Sequence, residues 1–368
     1  MRKQSLIFAL EKALGHGTHG ANIEHTANEN ADLTCRFVPI DHSALGQGRR
    51  LPIVDNHSLR SSWTARRGVV TLLRQAPADG LFIHTQMSSL LLSDVMTRVP
   101  TVVSMDATPA NYDDVGEAYG HHRQTPTLES AKLAVNRRAF SRAAALTTWS
   151  DWAASSLVDD YGISDRKITV IPPGVDLQRF SPRTDKQTNA RVRLLFVGGD
   201  FQRKGGKDLF AAVSQLGDCV ELDVVTSAPP AEVPLGVRIH TGVPNTSTVL
   251  MDLFRSADVF VLPTRGDCFG IAIAEAMASG LPVVSCAVGA VPELVAHDDT
   301  GLLVPPAAPR ELAAALRLLA ARPEMRVRMG KRGLQVARRE HDAARNVGNL
   351  IELVRRTAHD QLRTETSL

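Results

Sequence analysis

The chain has 368 residues, more than one hydrophobic core usually serves, so two domains are expected. Hydrophobic residues make up 43% of the sequence, which excludes a disordered protein, and a formal net charge of +3 gives no indication of nucleic-acid binding. The four cysteines form no CxxC pair, which argues against a zinc site or a disulfide framework and favours a reducing compartment.

The hydropathy pattern along the chain indicates where in the cell the protein is located. The first apolar run, Leu6 to Leu10, is too short for the core of a signal peptide. No stretch approaches the roughly 20 apolar residues that a membrane span requires. These features predict a cytoplasmic protein, with any membrane contact peripheral at the inner membrane face.

Short apolar runs alternate with helical patterns from end to end. Their near-continuous apolar character is typical of strands buried on both faces. The strands predicted in the first half are Ser5–Leu10, Leu33–Ile40, Gly80–His84, Thr101–Met105, Ala144–Thr148 and Lys167–Ile171. Those predicted in the second half are Arg193–Val197, Val220–Val225, Val237–His240, Val259–Leu262, Pro282–Ser285 and Gly301–Val304. The order predicts an α/β fold with two doubly wound parallel-sheet domains of Rossmann-like topology.

The polar, proline-containing segment 181–190 separates the two series of strands and predicts the domain boundary. We therefore predict an N-terminal domain over 1–183 and a C-terminal domain over 184–340. Residues 341–368 are predicted as a C-terminal helix that crosses back to the N-terminal domain. Successive helices are expected in the tail, broken at Pro323 and near His341.

An anion site is predicted after the strand Val259–Leu262. A helix is expected from about Gly270 to about Ser279, and its first amides lie at the carboxyl edge of a parallel sheet. Amides at such a helix start favour negative charge. We assign Phe269, Gly270 and Ile271 to this site.

Two carboxylates flank that helix start. Asp267 precedes the helix and Glu275 lies within it, with seven residues between them. Carboxylates accept hydrogen bonds from vicinal hydroxyls, so the pair suits a sugar and a ribose. Taken alone, the spacing also fits a helix N-cap at Asp267 and a solvated Glu275.

The segment from Asp267 to Val284, DCFGIAIAEAMASGLPVV, resembles the acid-x7-acid motif of retaining family 4 glycosyltransferases. The family usually has glutamate in place of Asp267 and proline in place of Cys268. Other segments are similar to the family in the same order: 171–176 (IPPGVD), 195–206 (LFVGGDFQRKGG), 288–293 (VGAVPE) and 300–304 (TGLLV). The resemblance is dense from about residue 145 to residue 304.

This resemblance implies the GT-B fold, in which an acceptor-side and a nucleotide-sugar domain face a central cleft. It implies retaining transfer of a sugar from a nucleotide-diphosphate donor to a hydroxyl of a lipid-linked, saccharide or small-molecule acceptor. No cofactor or metal is obligatory, because a cationic loop neutralises the diphosphate. In that loop Arg203 and Lys204 are assigned to the diphosphate, although many members carry the arginine nearer the strand end. Asp267 is assigned to the donor sugar and Glu275 to the ribose.

A second glycine-rich motif lies near the N-terminus. Residues 15–20, GHGTHG, match GxGxxG, and Asp41 follows the second strand, as in a dinucleotide-binding fingerprint. Four residues separate the first strand from the first glycine, which argues against nicotinamide or flavin binding. In a GT-B fold, Gly17, Thr18 and His19 would lie in a loop near the acceptor or the donor phosphates.

Asp106 follows the strand Thr101–Met105 and opens a predicted polar loop that reaches His122. Many family members carry a catalytic-region histidine after a comparable strand. We assign Asp106 to a sugar hydroxyl or the acceptor, with a turn cap as the alternative. His84, at the end of another strand, is interpreted as structural.

The segment Ser58–Gln75 is basic and partly amphipathic, with an interruption expected at Gly68. With Arg49 and Arg50 it forms a cationic stretch, which suits either anionic lipid or an ordinary surface helix. The first case would favour a lipid-linked acceptor. Three other functions stay open: a nucleotide-sugar epimerase of GT-B fold, an NAD-dependent oxidoreductase and a two-domain sugar-binding protein.

Overall fold

The computed structural model describes residues 3–12, 14–41, 57–121, 123–182 and 191–366. The chain forms two compact units. The first comprises residues 1–112, 123–173 and 344–368, and the second comprises 113–122 and 174–343. Residues 183–190, where the sequence predicts the domain boundary, lie outside the described residues, so the limits 183 and 340 stay a prediction.

The first unit contains a six-stranded parallel sheet in the order β2-β1-β3-β4-β5-β6. Its strands β1 to β6 are Gln4–Glu11, Leu33–Ile40, Gly80–Ile83, Thr101–Met105, Ala145–Thr148 and Ile168–Val170. Its helices α1 to α6 are Leu14–Glu29, His57–Gln75, Ser93–Met96, Pro109–Val115, Pro126–Arg142 and Asp151–Asp159. The last three residues of α4, Asp113 to Val115, belong to the second unit.

The second unit contains another six-stranded parallel sheet, in the order β12-β11-β10-β7-β8-β9. Its strands β7 to β12 are Val192–Val197, Val220–Val225, Val237–His240, Val259–Leu262, Val283–Cys286 and Gly301–Val304. Its helices α7 to α12 are Gly206–Val213, Thr248–Ser256, Ile271–Ala278, Val291–Leu294, Pro309–Ala321 and Pro323–Glu340. A final helix, α13 (Ala343–Thr366), lies in the first unit from Ala344 onward.

The core of the first unit follows from the alternation of side chains along β1. Ile7 faces a layer that includes Val69 of α2, whereas Leu6 and Phe8 face a layer that includes Ile23 of α1 and residues of α13. Burying one such side chain contributes about 1.5–3 kcal/mol. Because both faces of the sheet are covered, the strand sequence is apolar throughout rather than alternating.

All twelve predicted strands are confirmed to within one or two residues, and so are the helix breaks in the tail. Three local predictions are wrong. Residues 15–20 lie inside α1 rather than in a loop, and the residues after Asp106 form α4 and a 3-10 turn rather than a long polar loop. Gly68 does not interrupt α2, because the missing side chain lets the helix pack against Val38.

Strand order locates the candidate sites. In the second sheet the order reverses between β7 and β10, and in the first sheet it reverses between β1 and β3. Ligands of open α/β sheets bind at the carboxyl ends of the strands at such a reversal. The loops that follow these strands are therefore where side-chain chemistry is expected.

Candidate functional site

The loops that follow β7 and β10 are packed against each other in the second unit. A Cβ on Gly205 would overlap the carbonyl oxygen of Pro263, and Gly205 also has a positive φ of 78°. The amide of Arg265 donates to the carbonyl of Arg203 at 2.9 Å. Glycine at position 205 is thus required for the close approach of the two loops.

Arg203 is held on three sides. Its Nη1 donates to the carbonyl of Gly266 at 2.9 Å, and its Nε lies 3.4 Å from Oδ2 of Asp200. Its guanidinium carbon stands 4.3 Å from the ring centroid of Tyr119. Only 9% of the Arg203 side chain is exposed, so the cation is largely fixed in place.

Lys204 and Asp267 form a direct ion pair between the same two loops. Their side chains are only 14% and 10% exposed. The sequence assigned these residues to different parts of one ligand, and the structure brings their charges into contact. Asp267 is not a helix N-cap, because Gly270, with φ of 96°, is the residue that precedes α9.

Glu275 lies inside α9 and is buried, so the solvated position considered from its spacing is wrong. Burial raises the pKa of Glu275 to about 8, and the charge of Arg179 only partly opposes this effect. At neutral pH the carboxyl group is therefore protonated. In that form it both donates and accepts hydrogen bonds.

The start of α9 presents main-chain amides at the carboxyl end of β10. Ile271 is the first helical residue, and the first amides of a helix have no partner within it. The ring of Phe269 is buried and lies 5.8 Å from the ring of His341 in an edge-to-face arrangement. Phe269 thus supports the turn by packing.

A second ion pair at these loops was missed in the sequence. Asp208 of α7 is buried and accepts from Nε and Nη2 of Arg265 at 2.9 and 2.8 Å. The hydrogen bonds that Arg265 donates to Asp208 raise the pKa of Arg265. The partners are 57 residues apart in the chain, so no local spacing signals the pair.

A separate polar cluster lies at the carboxyl edge of the first sheet. Its members come from α1 and from the ends of β3, β4 and β5, namely His16, His19, His84, Asp106 and Trp149. His16 Nε2 is 3.4 Å from Oδ2 of Asp106, and the His16 ring centroid is 4.7 Å from that of Trp149. The rings of His19 and His84 are 5.2 Å apart.

Burial sets the protonation of these histidines. It lowers the pKa of His19 to about 3 and that of His84 well below its usual value. Burial also disfavours charge on His16, but the adjacent Asp106 carboxylate and the smaller charge effect of Glu11 together outweigh it and raise the pKa of His16. Burial likewise disfavours charge on Asp106, but His16 and main-chain hydrogen bonds together outweigh it and lower the pKa of Asp106. The cluster therefore places the His16–Asp106 contact beside two imidazoles whose charged forms are disfavoured by burial.

Four ring nitrogens of the three histidines in the cluster have unused hydrogen-bonding capacity. Within the described residues, both ring nitrogens of His84 and the Nδ1 atoms of His16 and His19 have no hydrogen-bond partner. Unpaired polar atoms in a buried site are costly unless a ligand or water satisfies them. Gly17 and Thr18 lie on the same turns of α1, so their assignment to a ligand stays a prediction.

The basic helix α2 offers fewer free charges than its sequence suggests. Arg66 is paired with Asp94, its Nη2 lying 3.0 Å from Oδ2. Trp63 is 50% exposed, with the Arg67 guanidinium 5.7 Å from its ring centroid. Arg49 and Arg50 lie outside the described residues.

Among the described residues, none of the helices has the length and apolar character that a membrane span requires. No group of three or more histidine, cysteine, aspartate or glutamate side chains in those same ranges is placed to hold a metal ion.

Two protein-family models match the chain. The model described as "Glycosyl transferases group 1" matches residues 191–322, and the one described as "Glycosyltransferase Family 4" matches residues 26–179. A curated relative, D-inositol 3-phosphate glycosyltransferase of Corynebacterium glutamicum (strain R), is 29% identical over 275 residues. That alignment covers 67% of this chain and 64% of the relative, so it spans less than two thirds of the relative's length.

Solved structures show the same fold. Sucrose-phosphate synthase from Thermosynechococcus elongatus has a TM-score of 0.78 at 18% identity, covering 96% of this chain and 99% of that one. HepE of Anabaena, in complex with UDP and glucose, has a TM-score of 0.71 at 16% identity, covering 95% and 99% of the two chains. The comparisons give no support to the epimerase or oxidoreductase alternatives.

Proposed function

The chain belongs to the family 4 glycosyltransferases of GT-B fold, and from that premise we propose that it transfers a sugar from a nucleotide-diphosphate donor to a hydroxyl acceptor with retention of configuration. One observation carries this proposal. Arg203, Lys204 and Asp267 meet where the loops after β7 and β10 pack together in the second unit, and the helix that carries Glu275 begins four residues after Asp267. That set matches the charges and hydroxyls of a nucleotide sugar.

The diphosphate is the leaving group, so its developing negative charge is what the site must stabilise. Arg203 and Lys204 supply positive charge, and the amides at the start of α9 donate to phosphate oxygens. The bond from the anomeric carbon to phosphate oxygen breaks, and its electron pair leaves with the diphosphate. The acceptor oxygen bonds to the anomeric carbon, and its proton passes to the departing phosphate.

Binding of the diphosphate would exchange one partner of Lys204 for another. In the structure Lys204 is paired with Asp267. When phosphate oxygens replace that carboxylate, Asp267 becomes available to accept from a hydroxyl of the donor sugar. Protonated Glu275 accepts from one ribose hydroxyl and donates to another. Asp267 thereby recognises the donor sugar, and Glu275 recognises the ribose.

The His16–Asp106 pair and its neighbouring imidazoles are proposed to bind the acceptor. Their unsatisfied ring nitrogens suit hydroxyl or phosphate oxygens. The relative from Corynebacterium glutamicum is named for D-inositol 3-phosphate, which makes a phosphorylated polyol the first acceptor to test. A lipid-linked acceptor, and with it peripheral membrane contact from the cytoplasm, depends on α2.

Thermal unfolding with UDP, GDP, ADP and TDP tests the proposal. Ligand in hundredfold excess over Kd stabilises the folded state by about 2.7 kcal/mol, so a rise of several degrees in Tm is expected with at least one nucleotide. Lys204→Ala should abolish the rise, whereas the matched control Lys207→Ala, on an exposed neighbour, should retain it. Absence of any rise in the unsubstituted protein contradicts the proposed function.

A further inference from the structure

Residues 113–122 belong to the second unit, although the chain on both sides of them belongs to the first. They end α4 and form the 3-10 turn Gly116–Tyr119. A hydrogen bond between His121 Nε2 and Asp113 Oδ1, at 2.8 Å, links His121 back to the start of this 113–122 segment. The segment is therefore a structural part of the second unit and not only a linker between two parts of the first.

The 113–122 segment packs directly on the loop that carries Asp267. A Cβ built on Gly266 would lie 2.7 Å from Cβ of Ala118 and 2.9 Å from the carbonyl oxygen of Val115. Gly266 is also the residue whose carbonyl accepts from Arg203. The segment thus packs where the loop after β7, which carries Arg203, meets the loop after β10, which carries Asp267.

Tyr119 contacts both loops with one side chain. Its ring lies under the guanidinium of Arg203, 4.3 Å from the guanidinium carbon. Its hydroxyl oxygen is 3.9 Å from Sγ of Cys268, the residue after Asp267. No motif in the sequence singles out Tyr119, which is 84 positions before Arg203.

We propose that Tyr119 is a positioning residue for the donor diphosphate, acting through Arg203; this rests on the proposed function. An aromatic face attracts a guanidinium electrostatically, and a planar cation stacked on it keeps fewer rotamers. Freezing an arginine side chain at binding carries a free-energy cost, and a residue already held escapes most of it. The ring, rather than the hydroxyl, supplies the effect.

The test is titration calorimetry with UDP, GDP, ADP and TDP on a set of Tyr119 variants. Tyr119→Leu, which keeps bulk but removes the aromatic face, should weaken binding of the preferred nucleotide about three- to thirty-fold. Tyr119→Phe should stay within about twofold of the unsubstituted protein. Glu117→Ala, on an exposed residue of the same turn, is the matched control and should bind normally.

A double-mutant cycle separates positioning from general support of the fold. In an Arg203→Ala background, Tyr119→Leu should cause no further loss of affinity. An equal loss in both backgrounds would overturn the positioning role. If Tyr119→Leu does not fold, mono-, di- and trifluorinated phenylalanines at position 119 keep the shape while weakening the ring quadrupole. Affinity should then fall stepwise with fluorination, and a flat series would also overturn the role.

The outcomes also distinguish this inference from the proposed function. If the unsubstituted protein binds none of the four nucleotides, both are wrong. If it binds one of them and Tyr119→Leu binds it equally well, only the role of Tyr119 is wrong, and the diphosphate site stands.

Discussion

Lys204 and Asp267 form an ion pair across two loops although 63 positions separate them in the chain. Both side chains are mostly buried, so neither charge is satisfied by water alone. The cation proposed to bind diphosphate is already paired with an internal carboxylate. Any diphosphate must therefore compete with the Asp267 carboxylate for Lys204.

Asp267→Asn should bind nucleoside diphosphate about threefold to tenfold more tightly than the unsubstituted protein, because it leaves Lys204 without a competing negative charge. The same change should lower sugar transfer by at least about tenfold, since a contact to the donor sugar is weakened. Calorimetry and a product assay measure the two effects separately. Asp218→Asn, at a 96% exposed side chain, is the control and should change neither. Weaker diphosphate binding in Asp267→Asn would contradict the competition.

Glu275 should make the protein less stable as pH rises from about 4.5 to about 8. Its pKa is about 8 in the folded protein against 4.5 for a free glutamate, so the folded state binds the proton more tightly. Stability from this group is complete below pH 4.5 and is lost as pH rises through 8. Glu275→Gln imitates the protonated acid without titrating.

Thermal unfolding from pH 5 to pH 8.5 checks this prediction. The fall in Tm over that interval should be smaller by several degrees in Glu275→Gln than in the unsubstituted protein. Glu293→Gln, at an exposed glutamate in the same unit, is the control and should leave the profile unchanged. Parallel profiles for Glu275→Gln and the unsubstituted protein would mean that Glu275 is ionised at neutral pH.

Asp106→Asn should convert His16 from a raised pKa to a lowered one. In the unsubstituted protein burial lowers the pKa of His16, but Asp106 and the smaller charge effect of Glu11 together outweigh it; the substitution leaves only Glu11 to oppose burial. His16 should then titrate below its ordinary value of 6.5 rather than above it. The His16 ring-proton shift, followed by NMR against pH, measures the midpoint, and exposed His25 provides the reference. An unchanged midpoint would show that Asp106 does not hold the charge on His16.

Helix α2 should bring the protein to anionic liposomes if the proposed membrane contact exists. Sedimentation should weaken with added salt, because surface charges are screened. Trp63→Ala should weaken it as well, because the ring is the most exposed large apolar side chain described on that helix. Val327→Ala, at another exposed apolar residue, is the control. No sedimentation of the unsubstituted protein at low salt would end the membrane hypothesis and remove the argument for a lipid-linked acceptor.

The local sequence was sufficient to predict the strands and the helix that begins after Gly270. Buried parallel strands read as continuous apolar runs, and a glycine with positive φ marks the helix start, so both signals lie within a few residues. The same reasoning failed at residues 15–20. Glycines there predict a loop, but packing of α1 on the sheet overrides their weak helix propensity.

Apolar runs along the chain predict the two doubly wound sheets, because strands buried on both faces are continuously apolar. Arg203, Lys204, Asp267 and Glu275 were identified through the resemblance of whole segments to one family, since the spacing of the two acids also fits an N-cap and a solvated glutamate. The pairing of Lys204 with Asp267, the burial of Glu275 and the stacking of Arg203 on Tyr119 are features of the tertiary structure. Contacts of this kind join positions far apart in the chain. They follow from strand order and from the packing of loops, which no local pattern encodes.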